Sequence, residues 1–230
     1  MTYGSRKLVA GLLAALPCWT PALAGGPITL GAAPDSPLVA PVADWSGPYF
    51  GFALATPRGG NAWASRELDL SLVPDGWDGS AMVLTLGHDW QRGKLTYGAL
   101  LSLSTGEHTA EPINGPFINC ADCDTRVSDL ITLRGRAGFA AGQTLFFASG
   151  GLAHANVTAT NLFGLFVIGD KAMTGWTVGI GLERRLGENL SFTMSYDHVD
   201  LGTMDLPDYL PTGYTDIDLG IVQVGMNVRW

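Results

Sequence analysis

The segment LGIVQVGMNVRW at residues 219–230 decides the fold. Val222, Val224, Met226, Val228 and Trp230 fall on one parity, and Gln223, Gly225, Asn227 and Arg229 on the other. A period of two over about ten residues describes a strand with one lipid-facing and one lumen-facing side, at the length that crosses a bilayer when tilted. The segment LSFTMSYDHVD at 190–200 repeats the pattern, setting Leu190, Phe192, Met194 and Tyr196 against Ser191, Thr193, Ser195 and Asp197. Residues 79–90 put Met82, Leu84, Leu86 and Trp90 on one face, and 94–104 do the same with Leu95, Tyr97, Ala99, Leu101 and Leu103. Residues 144–156 sort less cleanly, and Gly150-Gly151 is the expected place for a bulge.

Working outward, three short turn signals separate such runs: Gln91-Arg92-Gly93, Ala141-Gly142-Gln143 and Gly187-Glu188-Asn189. Eight strands result, at roughly 47–56, 79–90, 94–104, 126–140, 144–156, 172–186, 190–200 and 219–230. The expected fold is an all-β, eight-stranded antiparallel up-and-down transmembrane barrel. Proline supports it independently, because a residue that cannot donate to a ladder has no free edge to occupy in a closed barrel. Beyond Pro48, at the mouth of the first strand, the prolines at 57, 74, 112, 116, 207 and 211 all fall in the expected long loops. A soluble lipocalin-like barrel or sandwich also alternates, but the non-apolar face here is rich in Gly, Ser and Thr, as at Gly175, Thr177, Gly179 and Gly181. That is a poor solvent face and a good filling for a narrow lumen. Trp45, Trp90 and Trp230 fall at the short-turn end and Trp176 and Tyr196 towards the other, as two interfacial belts require.

Composition agrees. Of 230 residues 47% are apolar, 10% aromatic and 15% charged, with 31 Gly and a mean hydropathy of +0.20. This is too apolar for disorder and too glycine-rich for a helical bundle. The longest apolar run, LVAGLLAALPCW at 8–19, is too short to span a bilayer as a helix. The net charge of −8 leaves no basic stripe for a nucleic acid, so no such partner is expected.

Residues 1–24 read as a secretory signal, with Arg6 and Lys7 before the apolar run and Ala22-Leu23-Ala24 as the cleavage site. Cys18 leaves with it, since Pro17 makes a poor lipobox. Residues 25–44 hold four prolines and no periodic pattern, and read as a periplasmic Pro/Ala-rich extension ahead of the barrel at 45–230. Cys120 and Cys123, spaced C-x-x-C, point to a small disulfide-closed loop in an exported chain. Free thiols and a metal site are the alternatives.

Several strings carry a family resemblance: WSGPYFG at 45–51, LRGRAGFA at 133–140, LFFASGGLAHA at 145–155, TGWTVGIGLE at 174–183 and the terminal VGMNVRW. Together they resemble the porin-like outer-membrane β-barrel family of small alphaproteobacterial surface antigens. The resemblance implies an outer-membrane location, insertion by the barrel assembly machinery with Trp230 as part of the signal, and structural or surface roles. His88, His154 and the C-x-x-C loop are not part of the family pattern.

The search for chemistry yields little. His88 and His198 share parity with lipid-facing residues, while His108 in a long loop and His154 near a strand end are conceivable haem or metal ligands without ligand spacing. Ser195 and Asp197 point inward and His198 outward, which defeats a catalytic triad. No catalysis and no cofactor are expected. Parity sends Arg134, Arg136, Glu183, Arg185, Asp197 and Arg229 into the lumen, where they should form a hydrogen-bonded plug. The long loops are strongly acidic, and Asp205, Asp208, Asp216 and Asp218 are candidate oxygen ligands for a divalent ion shared with lipopolysaccharide. The expected role is envelope structure and surface interaction with outer-membrane lipid, and with an external ligand through the loops. A low-conductance diffusion channel is the first alternative and a lipid-modifying enzyme the second.

Overall fold

The structure is a computed structural model that describes residues 42–59, 62–65, 70–72, 76–110, 124–161, 165–206 and 213–230. The signal segment, most of the extension, Cys120, Cys123 and Asp208 lie outside the described residues. The strands are β1 (Gly47–Arg58), β2 (Ala62–Ser65), β3 (Leu70–Leu72), β4 (Trp77–Gly79), β5 (Ala81–Arg92) and β6 (Leu95–Thr105), followed by β7 (Glu107–Ala110), β8 (Asp124–Ala141), β9 (Thr144–Asn161), β10 (Phe166–Arg185), β11 (Leu190–Asp205) and β12 (Gly213–Arg229). Eight of them form a ring in the order β1-β5-β6-β8-β9-β10-β11-β12, all pairs antiparallel, and β1 pairs with β12 to close it. Closure leaves no free edge within the ring, which is what allows a sheet to sit in lipid.

The period-two reading holds along the membrane-depth part of the ring strands, and it is interrupted only farther out, by register shifts in β8, β10 and β11. Outward positions are apolar and uncovered, as at Leu54, Leu86, Leu133, Leu152 and Ile180, the last 66% exposed, whereas inward Asp89 and Glu183 are fully buried. This inversion of a soluble protein's distribution is the mark of a lipid-facing exterior. The band has two aromatic borders. Trp90 stacks on Tyr97 at 5.8 Å near the short turns, and Trp176 meets His198 at 5.4 Å towards the other end. Beyond His198 the outward side turns acidic, with Asp200 opposite Asp218 and Asp216 two residues along, so the hydrocarbon band ends there. The short turns at Gly93, Gly142 and Gly187–Asn189 lie at the opposite, periplasmic end, Gly93 and Gly142 with φ near +60° as such tight turns demand.

Strands β8 to β12 have 16 to 20 residues, well beyond the 9–11 that span a membrane, so the barrel continues past the outer interface. There β2 pairs with β12, and β7 bridges β4 and β8. The interior of this outer tier is mainly apolar, filled by residues such as Trp77, Val127, Leu130, Val157, Leu201 and Ile217, with His108 and Thr125 buried among them.

Three expectations change. The register runs evenly through Gly150 and Gly151, and a bulge lies instead at Asp129–Leu130, where pairing with β9 skips between Ser128 and Ile131 and Asp129 takes φ +52°; two more register shifts occur at Val167/Gly169 and Asp200/Gly202. The extra residue swings Leu130 into the lumen while Ile131 stays outward. Trp45 is not in the periplasmic belt but fully buried under the barrel mouth. His108 belongs to β7, not a loop, and is buried within the outer tier with both ring nitrogens unpartnered.

Burial holds the His108 imidazole below its ordinary pKa, so the folded state takes up a proton less readily than the unfolded chain. Stability is therefore full above the unfolded value near 6.5 and falls as pH drops through it towards the depressed folded value. Acidification from pH 7 to 5 should increase hydrogen exchange in β4 and β7, and His108→Leu should remove that increase.

Candidate functional site

Inside the barrel, charges arrive on alternate strands of the ring. Asp89 projects from β5, Arg136 from β8, Glu183 from β10 and Arg229 from β12, so that negative and positive groups alternate around the lumen. Each pairs with both neighbours. Arg136 Nε donates to Asp89 Oδ1 at 2.8 Å, its Nη2 contacts Asp89 Oδ2, and its Nη1 donates to Glu183 Oε2 at 3.1 Å. Arg229 Nη2 lies 3.5 Å from Glu183 Oε1 and donates to Asp89 Oδ2 at 2.9 Å. Four ion pairs thus form a closed, electroneutral ring. Ser191 adds a hydrogen bond to Glu183 at 2.6 Å, and both guanidinium groups lie against the Tyr49 ring, 4.7 and 4.6 Å from its centroid.

A second pair sits farther from the periplasm. Arg134 Nη1 binds Asp197, whose other oxygen accepts from Ser195 at 3.1 Å and Gln223 at 2.9 Å. Arg134 Nη2 reaches Ser102 at 3.3 Å. Space for these carboxylates comes from glycines directly across the ladder: Gly98 opposite Asp89 and Gly179 opposite Asp197. A Cβ at either position would collide with the carboxylate it faces, so these two lumen positions call for glycine.

Trp45 closes the periplasmic side. Its carbonyl accepts from Arg229, its N–H donates to Gln91 Oε1 at 2.6 Å, and its ring lies beneath Arg185 and Arg229 at 4.9 and 5.7 Å. Ala43 N–H donates to the Gly142 carbonyl at 2.9 Å, so the end of the expected free extension is fastened across the mouth. The Asp44 carboxyl, accepting the Ser46 N–H at 2.9 Å, is held below the usual carboxylate range.

Five of the six charges expected in the lumen are brought into these networks. Arg185 is the exception: it stands at the rim, donating to the carbonyls of Glu188 and Asp44, one register position too near the turn to enter the ring. Asp89 was missed, although its parity opposite His88 and Trp90 was the signal that would have found it. His154 faces outward and bonds Thr174 at 2.8 Å, while His108 is inside, so the two do not converge. Ser195 and Asp197 meet, and His198 packs on Trp176 on the other face. Asp205 and Asp216 lie on the outer tier, Asp216 accepting from Thr203 at 2.7 Å. Partial burial and the nearby Asp200 and Asp216 raise the Asp218 carboxyl pKa, opposed by His198. No group of three or more metal-ligating side chains occurs among the described residues.

A closed barrel with an apolar outer band and a charged, glycine-accommodated lumen defines an integral outer-membrane β-barrel protein. The chain belongs to the outer membrane protein beta-barrel domain family, whose model matches residues 26–229. It is 26% identical to the 31 kDa outer-membrane immunogenic protein of Brucella melitensis over 224 residues, covering 86% of this chain and 89% of that protein. It is 24% identical to the 22 kDa outer membrane protein of Rhizobium leguminosarum bv. viciae, covering 84% and 81%. Its fold is similar to that of OprG from Pseudomonas aeruginosa, with a TM-score of 0.51 and 15% identity over 82% of this chain and 98% of that one. The protein resides in the bacterial outer membrane.

The ring predicts a specific coupling. Glu183→Gln leaves one uncompensated buried positive charge and should cost about 3–5 kcal/mol. Arg136→Met leaves one negative charge at similar cost, while the double variant is neutral again and should lose clearly less than the sum. Glu183→Gln with Arg134→Met should be additive, because Arg134 belongs to the separate Asp197 pair. Urea unfolding in lipid vesicles measures all three.

Proposed function

We propose that this barrel serves envelope structure and presents its outer tier to partners outside the cell, without catalysis. The observation that carries the reading is the closed lumen: a neutral ring of four ion pairs with Trp45 fastened below it. The two lumen cavities beside Arg134 have volumes of about 20 and 50 Å³, on the scale of single water molecules. Strands that run past the membrane support a functional surface on the outer side of the barrel. The Brucella relative is described as immunogenic, which supports a surface-exposed role here. Asp200, Asp216 and Asp218 face outward just above the lipid band, where divalent ions shared with lipopolysaccharide phosphates would relieve their mutual repulsion.

Planar-bilayer recording tests this reading against the diffusion channel. The wild-type protein should show no stable openings, and Asp89→Ala combined with Glu183→Ala should introduce them. Stable wild-type openings would establish the channel reading instead.

Trp230, 67% exposed at the end of the last strand, is well placed for recognition by the assembly machinery. Deleting it should lower outer-membrane abundance in cells while refolding in detergent survives. Unchanged abundance would remove the assembly role.

A further inference from the structure

The lipid-facing wall of β9, β10 and β11 is not evenly filled. An open apolar depression of about 480 Å³ lies there, lined by Phe146, Ile180, Leu182, Met194 and Tyr196, a volume in the range of small-molecule sites, roughly 300–1,000 Å³. Tyr196 helps to shape it. Its ring folds over Gly220 rather than over its ladder partner Val222, where a Cβ on Gly220 would collide with it, so the largest side chain of this wall leans towards the outer end. Two cations stand at the periplasmic border of the same depression. Arg184 shares the outward parity of β10 with Leu182, about 7 Å nearer the turn. It is exposed and donates to Thr144 Oγ1 at 3.2 Å, which engages one of its five N–H groups. Lys94 Nζ lies 5.8 Å from the centroid of the Phe139 ring, and Phe139 is the ladder partner of Phe146. The outward positions of β6, β8, β9 and β10 carry no carboxylate at this end among the described residues, and Glu188 lies in the turn beyond.

We propose that this wall binds one anionic glycerophospholipid of the inner leaflet, its phosphate held by Arg184 and Lys94 and an acyl chain lying in the depression. Both halves of such a molecule are matched. A guanidinium with free donors is suited to phosphate oxygens, and an ammonium adds a point charge beside it. The aliphatic stems of both side chains can lie along the apolar wall while their heads stay at head-group depth. Charge decides the class of head group: a net negative one meets only cations on this arc, whereas a zwitterionic one brings an ammonium of its own to them. Position decides the leaflet, because the cations stand at the short-turn end and the opposite border of the band is acidic, with Asp200, Asp216 and Asp218. The same charges argue against a second copy of the barrel as the occupant. An isologous contact over this wall would bring Arg184 and Lys94 of one copy towards those of the other without a facing carboxylate.

The test is native mass spectrometry of the full barrel released from detergent containing equal amounts of dimyristoyl phosphatidylglycerol and dimyristoyl phosphatidylcholine. The wild-type barrel should retain a single phosphatidylglycerol, roughly tenfold in preference to phosphatidylcholine, and Arg184→Gln with Lys94→Gln should remove that preference. Arg92→Gln, which takes away an exposed cation of the same border on β5, should leave it intact. Met194→Trp, which fills the depression, should lower retention of both lipids while the preference between them survives. All four positions are exposed, so these variants should keep the closed barrel, which resistance to unfolding in cold dodecyl sulfate checks. Equal retention of the two lipids by the wild type would overturn the site. So would a loss with Arg92→Gln as large as that with the double variant, which would reduce the effect to a general basic girdle. Retention unchanged by Met194→Trp would remove the acyl part, and a barrel dimer abolished by Met194→Trp would hand the wall to a second copy instead.

Discussion

Buried charge in a lipid-embedded barrel must be neutral in sum and satisfied atom by atom, and the alternating ring of Asp89, Arg136, Glu183 and Arg229 meets both demands at once. Each member rises from every second strand, so the ring clamps the barrel across its diameter while the ladders join it around its circumference. Tyr49, Ser191 and Trp45 are arranged around these four groups, and the seal at the periplasmic mouth exists because Arg229 and Arg185 reach down to the backbone of the entering chain. Remove the ring and the lumen has no reason to stay closed.

The lumen solves a volume problem by pairing large with small. An eight-stranded ring is barely wide enough for side chains, and the bulky charged residues are accommodated where the facing strand supplies glycine. Farther out the same bore is filled differently, by aliphatic side chains, because the strands there stand above the membrane and enclose a core much as a soluble barrel does. The protein therefore has two interiors, a polar one at membrane depth and an apolar one above it.

Much of this was legible in the sequence. Alternation in 190–200 and 219–230 gave the faces, and parity sent Arg134, Arg136, Glu183, Asp197 and Arg229 inward, whereas Pro57, expected in a loop, lies in β1 opposite Ile221. Parity states which side a residue occupies but not how far along the bore it sits, and that is why Arg185 was grouped with a ring it does not reach. The bulge at Asp129–Leu130 is hidden because no glycine marks it, while in the Gly150-Gly151 pair Gly151 serves a close approach of the facing β8 backbone instead. Trp45 was assigned to the interface because a tryptophan near a strand end fits a belt, yet the arginines inside offered its ring a better partner. The apolar outer tier escaped notice because segments such as 107–110 carry too few residues for a period to show.

The position of Arg229 on the last ring strand orders assembly in time. Before β12 takes its place between β11 and β1, the other three ring members carry one uncompensated negative charge among them, and the bore that would enclose them is still open on one side. An unfinished barrel is thus electrostatically suited to water and unsuited to hydrocarbon. The strand that completes the hydrogen-bond ladder also delivers the missing cation, so seam closure and charge neutralisation are one event, and an incompletely zipped intermediate is discouraged from settling into the bilayer.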